Sequence, residues 1–138
     1  MIFNEFRKNK KKIINDPVHG FVNIPSDFIY DITEHPYLQR LRRIKQLGLT
    51  DYVYPGATHS RFQHTIGALH LMMQAIESLR YKGIDISGKE EEAVLCAILL
   101  HDIGHGPFSH ALEESLISGI SHEYLSHLLM SKLNEIFS

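Results

Sequence analysis

A chain of 138 residues with 43% hydrophobic, 22% charged and 9% aromatic residues has the composition of one ordinary globular domain, which excludes disorder, collagen-like repeats and a disulfide scaffold. A single cysteine, Cys96, rules out an internal disulfide, and the apolar runs fall short of the roughly 20 residues that a membrane span needs. The net charge of −2 conceals an asymmetry, +4 over residues 1–61 and −6 over residues 62–138: the basic part suits a phosphate-bearing partner, while a solvated lysine-rich tail accounts equally well for Arg7 through Lys12.

The opening residues lack the charge-then-apolar order of a signal peptide, so a reducing, cytoplasmic location is expected. Between residues 12 and 25, β-branched residues flank Asn15-Asp16-Pro17 and His19-Gly20, which predicts two short strands around a turn. Ser26 then suits the N-cap of a short helix carrying Phe28, Ile29 and Ile32 and stopping before Pro36. Pro36 opens a second helix with Tyr37, Leu38, Leu41 and Ile44 at helical spacing, closed at Gly48. Residues 52–56 read as an extended stretch and a turn. From residue 60, Phe62, Ile66, Leu69, Met73 and Ile76 recur every three or four positions, predicting a helix to about residue 81 that Lys82-Gly83 closes. Ser87 and Glu90 form a capping-box pattern ahead of a helix with Ala93, Val94, Ala97, Ile98 and Leu99. That helix runs into His101-Asp102 and halts near Gly104, Gly106 and Pro107, and two more helices are expected at 109–116 and 122–137. The fold class is mainly α: a helical bundle with a small N-terminal β-hairpin, without internal repeats or linkers.

Chemistry concentrates in the histidines. Of ten, eight lie between His59 and His127. His101 and Asp102 are adjacent at a helix end, where an imidazole and a carboxylate can turn toward one divalent cation. The dipeptide alone fits a core histidine beside a capping aspartate equally well. His64 could add a second imidazole. Arg61 lies three residues before it on the same helix face, with a guanidinium suited to clamping phosphate. His105, His110 and His122 are proton-transfer candidates near pH 7. His70, His127 and the run from Leu71 to Met73 read as packing residues. Glu90, Glu91 and Glu92 read as first-turn acids.

Four blocks together resemble the HD-domain phosphohydrolases, in that family's order and with similar spacing. They are Ile14 to Gly20, Leu38 to Gly48, Tyr54 to His64, and His101 to His110. The resemblance spans about residues 12–127 and is closest to the deoxynucleoside triphosphate triphosphohydrolase branch, the SAM-and-HD-domain enzymes. It implies an HD-domain helical bundle and a divalent metal (Mn, Mg, Fe or Zn) held by two histidines and two aspartates, of which His64, His101 and Asp102 match three. It further implies a phosphate-contacting Arg61, a sugar-contacting Gln46, catalytic His105 and His122, and a phosphate-facing His110. Glu113 stands where the family has a catalytic aspartate; it is one methylene longer and still able to orient a histidine. In this branch the stretch holding Arg40, Arg42, Arg43 and Lys45 helps to form an allosteric nucleotide site between subunits, so a homo-oligomer is implied. Glu34 replaces a shorter acid there, and nucleotide activation is not assumed.

The family's fourth ligand, an aspartate, lies far downstream, and no Asp follows Asp102 here. The expectation is therefore that residues 1–138 form the N-terminal part of a longer HD phosphohydrolase domain. Alone it would be nearly inactive, bind metal weakly and self-associate through the apolar face of residues 122–137. The implied activity converts a dNTP to deoxynucleoside and triphosphate. The alternatives are an HD-type phosphodiesterase acting on cyclic or other nucleotides, and a non-catalytic module that holds a nucleotide or single-stranded nucleic acid.

Overall fold

The computed structural model describes residues 12–108 and 121–137. Strands β1 (Ile13–Asp16) and β2 (Gly20–Asn23) pair antiparallel, with Ile14 opposite Val22 and Asp16 opposite Gly20. Asp16 makes the turn: its Oδ1 accepts from the backbone N–H of Val18 at 2.8 Å and of His19 at 2.9 Å. Gly20 closes it at φ +74°, a left-handed conformation that a side chain disfavours.

Helix α1 (Asp27–Glu34) starts as expected, the Ser26 hydroxyl accepting from the Ile29 N–H at 3.2 Å. The helix expected from Pro36 to Gly48 is shorter than its periodicity suggests. It comprises α2 (Pro36–Gln39) and a 3-10 turn, Arg40–Arg43, after which Ile44 is extended. The reason is competition for backbone groups. The Ile44 carbonyl, which a continuing helix would offer to its own chain, accepts from the Arg61 N–H at 2.7 Å instead, and the Gln46 N–H donates to the His59 carbonyl at 3.0 Å. Residues 52–56 are likewise not extended: Thr50–Tyr52 form a 3-10 turn, and the Thr50 carbonyl accepts from the Val53 and Tyr54 N–H groups.

The next two helices agree with their sequence patterns. Helix α3 (Arg61–Tyr81) begins with a capping box between Ser60 and Gln63, and α4 (Gly88–Leu100) with the box between Ser87 and Glu90. Such a cap is worth about 1 kcal/mol. Helix α5 (His122–Phe137) covers the range expected from the sequence, whereas the helix expected at 109–116 lies outside the described residues. The arrangement is the mainly α bundle with one two-stranded hairpin. Helices α3 and α4 pack together and bury Ile66, Leu69, Leu95 and Leu99, joined by Leu38 and Leu41 from below and by Ile29, Ile32 and Val22 from α1 and the hairpin. Each such side chain contributes roughly 1.5–3 kcal/mol by leaving water. Among the described residues, no helix is long and apolar enough to cross a membrane.

Helix α5 is fastened to the end of α4 by a close backbone approach. The Gly104 N–H donates to the Ser126 hydroxyl at 2.9 Å. A Cβ on Gly104 would lie 2.1 Å from the His122 carbonyl oxygen and 2.4 Å from the Ser126 nitrogen. Both neighbours are backbone and cannot swing aside. Gly104→Ala is therefore expected to destabilise the fold by about 3 kcal/mol, at the upper end of overpacking costs. Urea unfolding followed by circular dichroism would measure the loss; an unchanged midpoint would show that α5 docks elsewhere.

Candidate metal centre

The ligands expected from the sequence come from two helix ends. His64 sits in the first turn of α3, and His101 and Asp102 follow directly on α4. Because the α3–α4 packing brings these ends together, His64, His101 and Asp102 each offer one ligand atom, all within 4.8 Å of one another. His64 Nε2 lies 3.8 Å and His101 Nε2 3.6 Å from Asp102 Oδ2.

The donor chemistry fits a divalent cation. His101 Nδ1 is 2.6 Å from the Ile98 carbonyl oxygen. A carbonyl can only accept, so Nδ1 carries a proton and Nε2 is the ring nitrogen turned to the carboxylate side. Burial, the largest influence, pushes the His64 imidazole down; Asp102 opposes this, while His101, Arg61 and His59 add to the downward side. His64 is thus neutral at pH 7, the form that ligates metal. Two imidazole nitrogens and a carboxylate oxygen converge, a donor set that suits a divalent cation.

Asp102 organises the surroundings. Arg61, only 3% exposed, places Nη1 2.7 Å from Asp102 Oδ2, and its Nη2 is 3.4 Å from the Gln46 carbonyl. On the other carboxylate oxygen, Asp102 Oδ1 is 3.4 Å from His105 Nε2. Burial, the largest single effect on Asp102, favours its neutral form. The hydrogen bond from His105 and the charges of His101, Arg61 and His105 together outweigh it, holding the carboxyl well below the usual carboxylate range. His105 is buried and stacks on His122, with ring centroids 4.0 Å apart and planes at 14°.

The structure thus brings together His64, His101, Asp102, Arg61, Gln46, His105 and His122. His110 and Glu113 lie outside the described residues. Of the basic residues after Gln39, Arg42 lies over the Phe62 ring at 3.7 Å and Lys45 pairs with Asp51 at 2.6 Å. Arg40 does what its sequence position does not disclose: its guanidinium donates to the carbonyls of Ile103 and His105. These partners are more than sixty residues away along the chain, so local spacing carries no sign of them.

A helical domain whose histidine-aspartate pair meets a further histidine from a neighbouring helix end is the arrangement of a metal-binding HD bundle. The HD domain family model matches residues 61–137, and the chain belongs to that family. Among relatives, it is 44% identical over 108 residues to the deoxynucleoside triphosphate triphosphohydrolase SAMHD1 homolog of Dictyostelium discoideum, an alignment covering 77% of this chain and 21% of the relative. It is 41% identical over 139 residues to the deoxynucleoside triphosphate triphosphohydrolase SAMHD1 of Gallus gallus, covering 91% and 22% respectively. A crystal structure of a phosphohydrolase from Bacteroides thetaiotaomicron superposes with a TM-score of 0.89 at 59% identity, covering 92% of this chain and 32% of that one. The chain therefore spans between about a fifth and a third of the length of these relatives.

The buried pair has a measurable consequence. Asp102→Ala removes the carboxylate that Arg61 Nη1 meets at 2.7 Å and is expected to cost about 3–5 kcal/mol, as for other broken buried pairs. Because the folded Asp102 carboxyl titrates below its unfolded value of about 3.9, its stabilisation is complete above that value and is lost as pH falls through the lower folded one. Denaturant titrations in chelator from pH 7 to pH 2 would show a shallower acid loss in Asp102→Asn than in the wild type. Parallel curves would mean that the carboxylate contributes nothing.

Proposed function

We propose that this chain supplies the metal-binding and proton-transfer part of a nucleotide phosphohydrolase that converts a dNTP to deoxynucleoside and inorganic triphosphate. The observation that carries this reading is the convergence of His64, His101 and Asp102 within 4.8 Å, beside the stacked His105 and His122 rings. The relatives named for this activity, at 41% and 44% identity, support the choice of substrate class.

Residues 1–138 are read as the N-terminal part of an HD phosphohydrolase domain. His64, His101 and Asp102 would hold a divalent cation; Mn, Mg, Fe and Zn all suit two imidazoles and a carboxylate. Such an ion, when bound, neutralises phosphate charge and lowers the pKa of a water from 15.7 to about 7. Arg61 adds a fixed positive charge on the same side of the cluster for the phosphates, and its placement depends on Asp102. Hydrolysis that frees intact triphosphate breaks the bond between the α-phosphorus and the 5′ oxygen, so the departing oxygen needs a proton. His105 holds one at Nε2 against Asp102 Oδ1, and His122, the more exposed ring of the stack, delivers one to the leaving oxygen. Gln46 contacts the sugar; the family resemblance assigns a phosphate-contacting role to His110 and a histidine-orienting role to Glu113. The nucleotide is the partner this reading requires, with a second copy of the chain providing the oligomer.

The protein translated from the whole reading frame, given Mn²⁺ and a dNTP, is expected to release triphosphate detectable by phosphorus NMR. His101→Ala and Asp102→Ala should each abolish turnover. Residues 1–138 alone should bind Mn²⁺ weakly and turn over little, since a single carboxylate leaves the site undercharged. Cleavage of a cyclic dinucleotide, with triphosphates untouched, would move the reading to the HD phosphodiesterases. Nucleotide binding without any product would leave a binding module.

A further inference from the structure

A helix ends with carbonyls that lack partners within it, and the turn that follows is only as well defined as the groups that take them up. After α4 ends at Leu100, the chain must present Asp102 and His105 toward the candidate metal centre while passing close to α5 at Gly104. Arg40 Nη1 donates to the His105 carbonyl at 2.7 Å, and Nη2 donates to the Ile103 carbonyl. These two carbonyls bracket Gly104, whose N–H is engaged by the Ser126 hydroxyl. Arg40 reaches them from the 3-10 turn Arg40–Arg43, and a guanidinium has the rigid fork needed to hold two acceptors at once. Both contacts are to backbone oxygens, so the path of the main chain is what Arg40 specifies.

The same stretch holds the other half of the centre. The Ile44 carbonyl accepts from the Arg61 N–H at 2.7 Å, and the Gln46 carbonyl is 3.4 Å from Arg61 Nη2. Residues 40–46 thus strap the start of α3, which carries His64, to the turn after α4, which carries Asp102 and His105. We propose that Arg40 is a positioning residue for the metal centre: it fixes the 103–105 backbone so that Asp102 meets His64 and His101. The proposal rests on the metal-binding reading above for its functional sense.

The test compares wild type, Arg40→Met, Arg40→Lys and His101→Ala, at a temperature where circular dichroism shows each folded. Mn²⁺ affinity is read from free Mn²⁺ by electron paramagnetic resonance, and amide hydrogen exchange is read at Gly104, Leu69 and Leu99. Arg40→Met keeps the aliphatic stem but not the fork, and is expected to weaken Mn²⁺ binding about 10–100-fold, the usual cost of losing an outer support of a metal site. Arg40→Lys should recover part of this, because one ammonium cannot reproduce the fork. Exchange at Gly104 should quicken in Arg40→Met while Leu69 and Leu99 in the α3–α4 core keep their rates. A merely structural contribution would shift all three amides together and leave affinity in the folded protein unchanged, which would overturn the proposal. If Arg40→Met fails to fold, Arg40→Lys decides: reduced affinity supports the role and wild-type affinity rejects it. If wild type binds no Mn²⁺, or His101→Ala binds as well as wild type, the metal reading fails separately. Gly104 exchange then decides the positioning role by itself, faster exchange supporting it and unchanged exchange rejecting it.

Discussion

One buried ion pair holds the site end of the molecule together. Arg61 and Asp102 meet at 2.7 Å with side chains only 4% and 13% exposed. A charge in such a place is tolerable only when it is paired and hydrogen-bonded, so each residue fixes the position of the other. Arg61 is the first residue of α3, and Asp102 lies two residues past the end of α4. Their pairing therefore ties together the ends of the two helices whose packing forms the centre of the core, and the candidate centre takes its position from that join. His64 lies three residues along from Arg61, His101 immediately precedes Asp102, and His105 answers the second carboxylate oxygen.

Around this join, backbone contacts do what side-chain packing alone could not. Leu95, Leu99, Leu69 and Ile66 bring the helices together without specifying their register to a fraction of an ångström. Directional hydrogen bonds supply that register. The Ile44 carbonyl on the Arg61 N–H sets the start of α3, the Arg40 fork sets the turn after α4, and the Gly104–Ser126 bond sets α5. Gly104 has to be glycine because two backbones share the space that a Cβ would need. The His105–His122 stack follows from that closeness: the rings meet because the segments bearing them already touch.

Much of this was legible in the sequence, where the signal is local. The hairpin announces itself through β-branched residues around Asp16-Pro17 and His19-Gly20, and α4 through the spacing of Ser87 and Glu90. Helix α5 occupies the range expected for it. His64, His101 and Asp102 were recognisable because their motif blocks occur together and in order. Legibility ends where long-range contacts compete with local preference. Helical spacing from Tyr37 to Ile44 is real, yet the 44–46 backbone goes to the start of α3 instead, and no window of that stretch contains the competitor. Arg40 is invisible for the same reason: among Arg42, Arg43 and Lys45 it is one more cation, distinguished only by carbonyls supplied from the other half of the chain.

The bond from His101 to the Ile98 carbonyl gives the centre a connection to the helix that carries it. That carbonyl belongs to the last turn of α4, where orphan acceptors normally turn to solvent and the end frays. Here the imidazole that would ligate a cation also closes the helix terminus. Whatever holds the ring at Nε2 slows fraying of that turn, and a well-formed turn in return keeps the ring aimed, because linkage between two equilibria runs equally in both directions. A cation on Nε2 and order in the final turn of α4 would then favour each other by the same free energy.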